Sequence, residues 1–284
     1  SEYGNPMGES PRKRVRWTKD LEQPPRDLSK EDGSESVEVL WYVSDYYAYH
    51  GRGNDAARAL TRVFNRLEVD FGILGTLEKC DGDSQRLVGE TGLFEELAQH
   101  NDEQFQKYKH GTLVVTDPHA FNAFKNHYPK VTGNEYRVEH YTQYLSNRLK
   151  ELKPLLVKPY EKKLTFHDPC YLGRHNGEYQ APRDLVVAIP GAEFMEMYRC
   201  REQSYCCGGG GGGMWLDGVS ADHTRERLSE NRVREAVEIG AEVLVVCCPY
   251  EVSRFEDAVK STDNEGKLEV RDIAEILDYC MDGV

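Results

Sequence analysis

The feature that most constrains the fold of this chain is a residue pattern that occurs twice. In the second half, Cys170 is followed by 35 residues, the pair Cys206 and Cys207, 40 further residues and then Cys248. The first half repeats this order with 34 and 35 residues between the corresponding positions, which are Asp45, Cys80, Asp81 and Asp117. Matching spacing is typical of internal duplication, so we expect two homologous halves, one of which has exchanged most of its sulfur for oxygen.

Short apolar runs alternate with longer amphipathic ones from residue 37 onward. The predicted strands cover residues 37–43, 69–74, 113–116, 164–166, 193–197 and 243–246. The predicted helices cover residues 55–67, 92–108, 118–126, 139–149, 183–188, 221–239, 251–259 and 273–279. Strands separated by helices are typical of βαβ units and a mostly parallel sheet. We therefore predict an α/β fold of two pseudo-symmetric repeats, 37–155 and 156–284, preceded by an extended tail or linker, 1–36.

Composition limits the partners and the compartment. The net charge of −13 argues against a nucleic-acid-binding surface, which would need a basic patch. No apolar run approaches the length of a membrane span, and no signal peptide opens the chain. The first residue is not Met, which is typical of a fragment or a processed chain. We expect a cytoplasmic protein, or one held at the cytoplasmic face of the membrane by a partner.

The densest group of cysteines stands beside a run of glycines. Cys206 and Cys207 precede six glycines at 208–213. Adjacent cysteines do not readily form a relaxed disulfide with each other. In a reducing compartment, clustered thiols are typical of metal sites or redox groups. The backbone N–H groups that are candidate donors to cluster sulfurs are those of Gly208, Gly209 and Gly210.

A second thiol pair, Cys247 and Cys248, directly follows the predicted strand 243–246. Parallel sheets bind ligands in the crevice beyond the carboxyl ends of their strands, so this pair lies where a site is expected. Thiols in this arrangement fit three kinds of protein. These are an iron–sulfur redox protein, a zinc-binding structural subunit, and a metal-free protein whose thiols react directly.

Three short segments carry a family resemblance: HDPCYLGR at 167–174, CCG at 206–208 and CPY at 248–250. They resemble the motifs of the CCG-domain proteins, the cysteine-rich catalytic subunits (B and D type) of heterodisulfide reductases and related iron–sulfur subunits of other oxidoreductases. The resemblance implies one [4Fe–4S] cluster in the C-terminal repeat, of a kind that is noncubane in heterodisulfide reductases. Zinc is the alternative metal.

The family motif has five cysteines in each repeat. The C-terminal repeat keeps the thiol at four of these positions, which are Cys170, Cys206, Cys207 and Cys248. Glu251 stands at the fifth position, and a carboxylate is a harder ligand than a thiolate. Either Glu251 binds the cluster, or Cys247 substitutes for the missing cysteine, or the position stays open.

The N-terminal repeat has a different set of side chains at the five positions of the motif. They are Asp45, Cys80, Asp81, Asp117 and Ala120. One cysteine cannot hold an iron–sulfur cluster, so we predict none in this repeat. The acidic groups, with Cys80 and His119, leave two alternatives, which are a single metal ion that prefers oxygen ligands and a purely structural site.

Three side chains near the cluster motif are candidate catalytic groups: His167, Arg174 and His175. A histidine there can supply protons to a bound substrate, and a structural hydrogen bond is the alternative role. The resemblance implies electron transfer through the cluster to or from a disulfide, a quinone or a flavoprotein. The implied partners are other redox subunits: a ferredoxin-type domain, a flavoprotein or a quinone-reactive membrane subunit.

Overall fold

The computed structural model describes residues 3–210, 213, 224 and 226–281. The chain divides into two compact units, unit 1 (Ser1–Tyr144) and unit 2 (Leu145–Val284). The division lies inside the helix Tyr141–Asn147.

Unit 1 is built on a five-stranded, fully parallel sheet. Its strands are β1 (Arg26–Asp27), β2 (Val37–Tyr42), β3 (Phe71–Ile73), β4 (His110–Val115) and β5 (Val138–His140), in the order β1-β3-β2-β4-β5. Its helices are α1 (Asp45–Tyr49), α2 (Gly51–Arg66), α3 (Asp83–Leu87), α4 (Thr91–Lys107), α5 (Pro118–Asn126), α6 (Tyr128–Thr132) and α7 (Tyr141–Asn147). Each strand-to-strand connection that contains a helix is a βαβ unit, as predicted.

Unit 2 repeats this plan with a four-stranded parallel sheet. Its strands are β6 (Lys163–Phe166), β7 (Glu193–Phe194), β8 (Val243–Val246) and β9 (Glu269–Asp272), in the order β7-β6-β8-β9. Its described helices are α8 (Leu149–Leu152), α9 (Gln180–Ala188), α10 (Leu228–Glu238), α11 (Pro249–Ser261) and α12 (Ile273–Cys280). Apart from β1, the strand order is the same in both sheets, which confirms the predicted α/β fold of two repeats.

The central strands end in the same way in both units. β4 and β8 are apolar and buried at their carboxyl ends, as strands covered on both faces are. Asp117-Pro118 follows β4 and begins α5, and Cys248-Pro249 follows β8 and begins α11. Proline suits the first position of a helix because that residue's N–H has no partner within the helix. This junction places the residue before each proline at the edge of the sheet where ligands bind.

The segment predicted as a tail or linker packs on unit 1. It contains only short elements: the 3₁₀ turns Pro11–Lys13, Arg16–Asp20 and Leu28–Lys30, together with β1, which pairs with β3. Trp17 and Leu28 are each 1% exposed. The Trp17 ring meets the edge of Trp41 at a centroid distance of 5.7 Å. Because these large apolar side chains are buried, the described part of the segment belongs to the core of unit 1.

Several predicted elements differ from the structure in their bounds or were missed. The prediction included neither β5 nor β9, because both are short edge strands that carry charged residues, and it assigned the end of β5 to a helix. The helix predicted over 221–239 begins at Leu228, and residues 221–223 and 225 lie outside the described part of the chain.

In the described residues, no helix is long and apolar enough to cross a membrane.

Candidate metal centre

The candidate residues of unit 2 follow two neighbouring parallel strands. Leu164 on β6 lies opposite Val243 on β8, so both strands end at the same edge of the sheet. The segment after β6 carries His167 and Cys170, and the junction after β8 carries Cys248. Parallel pairing therefore gathers residues that are distant in sequence at one edge, where an α/β sheet binds its ligands.

Three thiols and two backbone amides form one side of this site. The Sγ atoms of Cys170 and Cys206 are 3.9 Å apart. The N–H of Gly208 donates to Cys206 Sγ at 3.2 Å, and the N–H of Gly209 donates to Cys207 Sγ at 3.3 Å. Gly208 has φ +78°, a conformation that favours glycine. The glycine at the start of the run thus lets the backbone turn so that its amides face the sulfur atoms.

The third predicted glycine, Gly210, takes part in a backbone turn, in which its carbonyl accepts from the N–H of Gly213 at 3.0 Å. Residues 211–212 lie outside the described part of the chain.

The three thiols differ in pKa. Hydrogen bonds from the thiols of Cys170 and Cys207 hold the pKa of Cys206 far below that of an ordinary cysteine. The same hydrogen bonds raise the pKa values of Cys170 and Cys207. The lowered pKa favours the thiolate form of Cys206, which is the form that binds a metal.

A buried imidazole and a buried carboxylate lie beside the thiols. His167 Nε2 lies at an ion-pair distance of 3.3 Å from Glu251 Oε1. Within the described residues, Glu251 Oε2 and both ring nitrogens of His167 have no hydrogen-bond partner. Burial raises the pKa of Glu251, and His167 opposes that shift. Buried polar atoms are almost always paired, so orphaned ones point to an ion or water.

The ligand atoms of His167, Cys207 and Glu251 lie within 4.8 Å of one another. Among the residues that the structure describes, this is the one group of three or more such side chains close enough to hold a metal ion. Cys248 is also buried, and its charge acts on Cys207. The donor set of soft thiolates with one carboxylate fits an iron–sulfur cluster or zinc.

The other predicted residues lie around this group. Cys247 is fully buried, and burial raises its pKa well above the ordinary value, yet it is outside the group of three. Arg174 and His175 are exposed. The Arg174 guanidinium donates to the carbonyl of Ser204, and the His175 ring stacks on Tyr171 at 4.4 Å. Both exposed side chains are therefore at the surface, and only His167 is buried with the ligand atoms.

Two arginine side chains support the site, and no pattern in the sequence indicates either. Arg183 makes a buried ion pair with Asp168 at 2.6 Å, and the backbone N–H of Arg201 also donates to Asp168, at 2.7 Å. Arg254 donates from Nε to the carbonyl of Cys207 at 3.3 Å. These contacts fix the segment that bears Cys170 and the one that bears Cys207. Neither Arg183 nor Arg254 belongs to a spaced motif, so only the structure reveals the pairing.

In unit 1, the equivalent position is filled by charge pairs. Arg14 lies between Asp45 and Glu78, with a distance of 2.5 Å to Glu78, and all three side chains are buried. Burial disfavours the charge of Arg14, but the carboxylates raise its pKa above the ordinary value. Since Asp45 corresponds to Cys170 in the repeat, a guanidinium contacts the carboxylate that stands in place of a cysteine.

A second charge pair joins His119 and Asp83, whose Nδ1 and Oδ2 are 2.8 Å apart. Burial alone would lower the pKa of His119, but the Asp83 hydrogen bond and the charges of Asp117 and Asp83 raise it to about 9. Burial raises the pKa of Asp117 to about 6 and that of Asp81 further. The Cys80 thiol is also buried, which raises its pKa.

The two repeats match the model of the CCG cysteine-rich domain over residues 41–125 and 164–250. The chain belongs to this family, which confirms the family assigned from its motifs. Both matched segments contain the strand ends described above. The family model and the sheet order therefore show the same duplication.

The chain is similar to several curated proteins. It is 37% identical over 277 residues to a probable iron–sulfur-binding oxidoreductase, FadF, of Bacillus subtilis, covering 96% of this chain and 38% of that protein. It is 37% identical over 259 residues to EtfAB:quinone oxidoreductase of Syntrophomonas wolfei, covering 90% of this chain and 36% of that protein. The chain thus spans less than two fifths of the length of these two relatives.

It is also 32% identical over 286 residues to the D-type polypeptide of the dihydromethanophenazine:CoB–CoM heterodisulfide reductase of Methanosarcina barkeri. That match covers 97% of this chain and 64% of the relative.

Proposed function

We propose that this chain is an iron–sulfur redox subunit whose one [4Fe–4S] cluster binds in unit 2. The ligands are Cys170, Cys206, Cys207, Cys248 and Glu251. The observation that carries the proposal is that neighbouring thiols and buried ligand atoms without a hydrogen-bond partner among the described residues meet at one sheet edge. Relatives named as iron–sulfur-binding and heterodisulfide reductase proteins support the same conclusion.

The bound cluster supplies one-electron chemistry, and the surrounding residues set the conditions for it. Gly208 and Gly209 donate hydrogen bonds to the sulfur atoms of Cys206 and Cys207, which favours the more negative form of the site. Cys170 and Cys206 are only partly buried, so the cluster is reached from their side. That open side is where an electron donor or a disulfide substrate approaches.

The partner is a further redox subunit, either a ferredoxin-type domain, a flavoprotein or a membrane-bound quinone-reactive subunit. The names of the relatives, which include a quinone oxidoreductase and a heterodisulfide reductase polypeptide, support this set of partners. The protein then acts in the cytoplasm or at the cytoplasmic face of the membrane through that partner.

Zinc is the second candidate, because the group of His167, Cys207 and Glu251 is a donor set that zinc also accepts. Anaerobic purification, a visible absorption spectrum and a reductive titration separate the two. We expect a brown protein whose visible absorption bleaches on reduction and returns on oxidation. A colourless protein with stoichiometric zinc supports the structural subunit, and a metal-free protein with reactive thiols supports direct thiol chemistry at Cys206.

A further inference from the structure

The imidazole of His167 is buried, and its ring nitrogens make no hydrogen bond to the described residues. The side chain is fully buried, and its ring meets the edge of Phe255 at a centroid distance of 4.7 Å. Within the described part of the chain, neither ring nitrogen has a hydrogen-bond partner. A buried polar group left unpaired is unfavourable. Here the two ring nitrogens of His167 lie beside Glu251, whose Oε2 is also unpaired within the described residues. A bound metal ion would give these atoms a partner.

The distance between His167 and Glu251 matches two ligands of one metal ion. Nε2 of His167 and Oε1 of Glu251 are 3.3 Å apart, and Nε2 makes no hydrogen bond within the described part of the chain. Nitrogen and oxygen ligands at about 2.1 Å from a tetrahedral metal are separated by roughly 3.4 Å. Cys207 Sγ lies within 4.8 Å of a ring nitrogen of His167 and of a carboxylate oxygen of Glu251, so it can serve as a third ligand at the same position.

We propose that His167 binds the metal directly through Nε2, at one iron position that it shares with Glu251 and Cys207. The proposal rests on the proposed function, because it concerns the ligands of that cluster. It assigns His167 as a metal ligand and not as a group that supplies protons. The family's fifth thiolate is replaced by Glu251, and the imidazole adjoins that replacement.

A mixed set of ligands changes the electronic properties of the cluster. Replacing thiolates by neutral imidazoles on one iron raises the reduction potential of a cluster, as in Rieske centres. His167 also makes one iron chemically different from the rest, since nitrogen, oxygen and sulfur all bind it. We expect this iron to be the first that a chelator removes from the loaded protein.

Pulsed electron paramagnetic resonance tests the proposal on the cluster-loaded chain in its paramagnetic oxidation state. The wild-type protein is prepared with natural histidine and with histidine labelled with ¹⁵N in the ring. We expect a strong ¹⁴N hyperfine coupling that is replaced by a ¹⁵N coupling in the labelled sample. The label alters no side chain, so this result is independent of any effect of substitution on folding.

Variants then assign the coupling to one histidine. It should be absent in H167Q and retained in H175Q, because His175 is exposed. Where H167Q does not bind the cluster, retention of the coupling in both H175Q and H223Q makes the same assignment. These two positions are the other histidines of unit 2.

Two negative results have different meanings. A protein without iron and sulfide overturns the proposed function and this inference with it. A protein that holds the cluster but shows no strong histidine coupling, or keeps the coupling in H167Q, overturns this inference alone. In that case His167 acts at most as a hydrogen-bonding neighbour of Glu251.

Discussion

The two units share a strand order and a strand–proline–helix junction, but the corresponding edges of their sheets carry different side chains. In unit 1, Arg14 neutralises buried carboxylates at Asp45 and Glu78. In unit 2, the corresponding edge brings thiols together with His167 and Glu251, and both ring nitrogens of His167 and Oε2 of Glu251 have no hydrogen-bond partner among the described residues. In unit 1 the carboxylates of Asp45 and Glu78 are compensated by Arg14, and Asp117 Oδ2 is without a hydrogen-bond partner among the described residues. In unit 2 three such atoms, on His167 and Glu251, lie together with thiols.

From this difference we expect that the fold of the repeat does not depend on a cluster. Buried charges are tolerated when they are paired, and Arg14 provides that pairing from a segment that precedes the repeat. The repeat can therefore lose its cysteines and keep its sheet, provided that another group compensates the polar side chains that replace them.

The largest expected effect is on iron content, which should differ between variants of two cysteines at corresponding positions, Cys206 and Cys80. C206A should lose most of its iron, by more than the roughly 10- to 100-fold loss of affinity that removing a supporting partner of a ligand causes. C80A should keep the wild-type iron content, because Cys80 is buried in unit 1. Iron and sulfide analysis after identical anaerobic loading is the measurement. Equal losses in both variants would contradict the assignment of the cluster to unit 2.

The second effect is on the stability of unit 1. R14M removes the cation from between two buried carboxylates and should lower the free energy of unfolding by about 3–5 kcal/mol. R12M is the matched control, because Arg12 is exposed, and it should change stability by no more than about 0.5 kcal/mol. Denaturant unfolding of both variants tests this. Similar midpoints for R14M and R12M would show that the ion pairs do not stabilise unit 1.

Fluorescence can follow unit 1 separately. Of the three tryptophans of the chain, Trp17 and Trp41 belong to unit 1 and Trp215 belongs to unit 2. In a W215F background, tryptophan fluorescence therefore reports the unfolding of unit 1. The same background serves the pH experiment.

A smaller effect is a pH dependence of unit 1. The pKa of His119 is raised from 6.5 to about 9, so its stabilisation is present below pH 6.5 and is lost as the pH rises through 9. We expect the free energy of unfolding to fall by on the order of 2–3 kcal/mol over this window. The raised pKa of Asp81 acts in the same direction, whereas the shift of Asp117, to about 6, and the lowered pKa of Asp83 act at lower pH than this window. H119Q should flatten the profile, and an unchanged slope in H119Q would contradict the assignment.

The sequence predicted the parts of the molecule that depend on local pattern and spacing. Apolar periodicity located the central strands, and the doubled spacing predicted two repeats with the same plan. The cysteines are rare and clustered, so their convergence after β6 and β8 could be expected from parallel pairing alone.

The remaining features depend on tertiary contacts that leave no local pattern. Arg14 lies in a proline-rich segment, and nothing in that segment shows that its side chain reaches Asp45 and Glu78. The burial of Trp17 against Trp41 is likewise a contact between distant residues. His167 and Glu251 are close because they follow the neighbouring strands β6 and β8, and the sequence alone does not show this contact.

The central claim is that unit 2 holds one iron–sulfur cluster and unit 1 holds none. The most direct test is to measure iron, acid-labile sulfide and zinc in the anaerobically loaded wild-type chain. The account predicts about four irons and about four sulfides per chain, with no stoichiometric zinc. One zinc per chain without sulfide, or about twice the iron and sulfide of a single cluster, would contradict it.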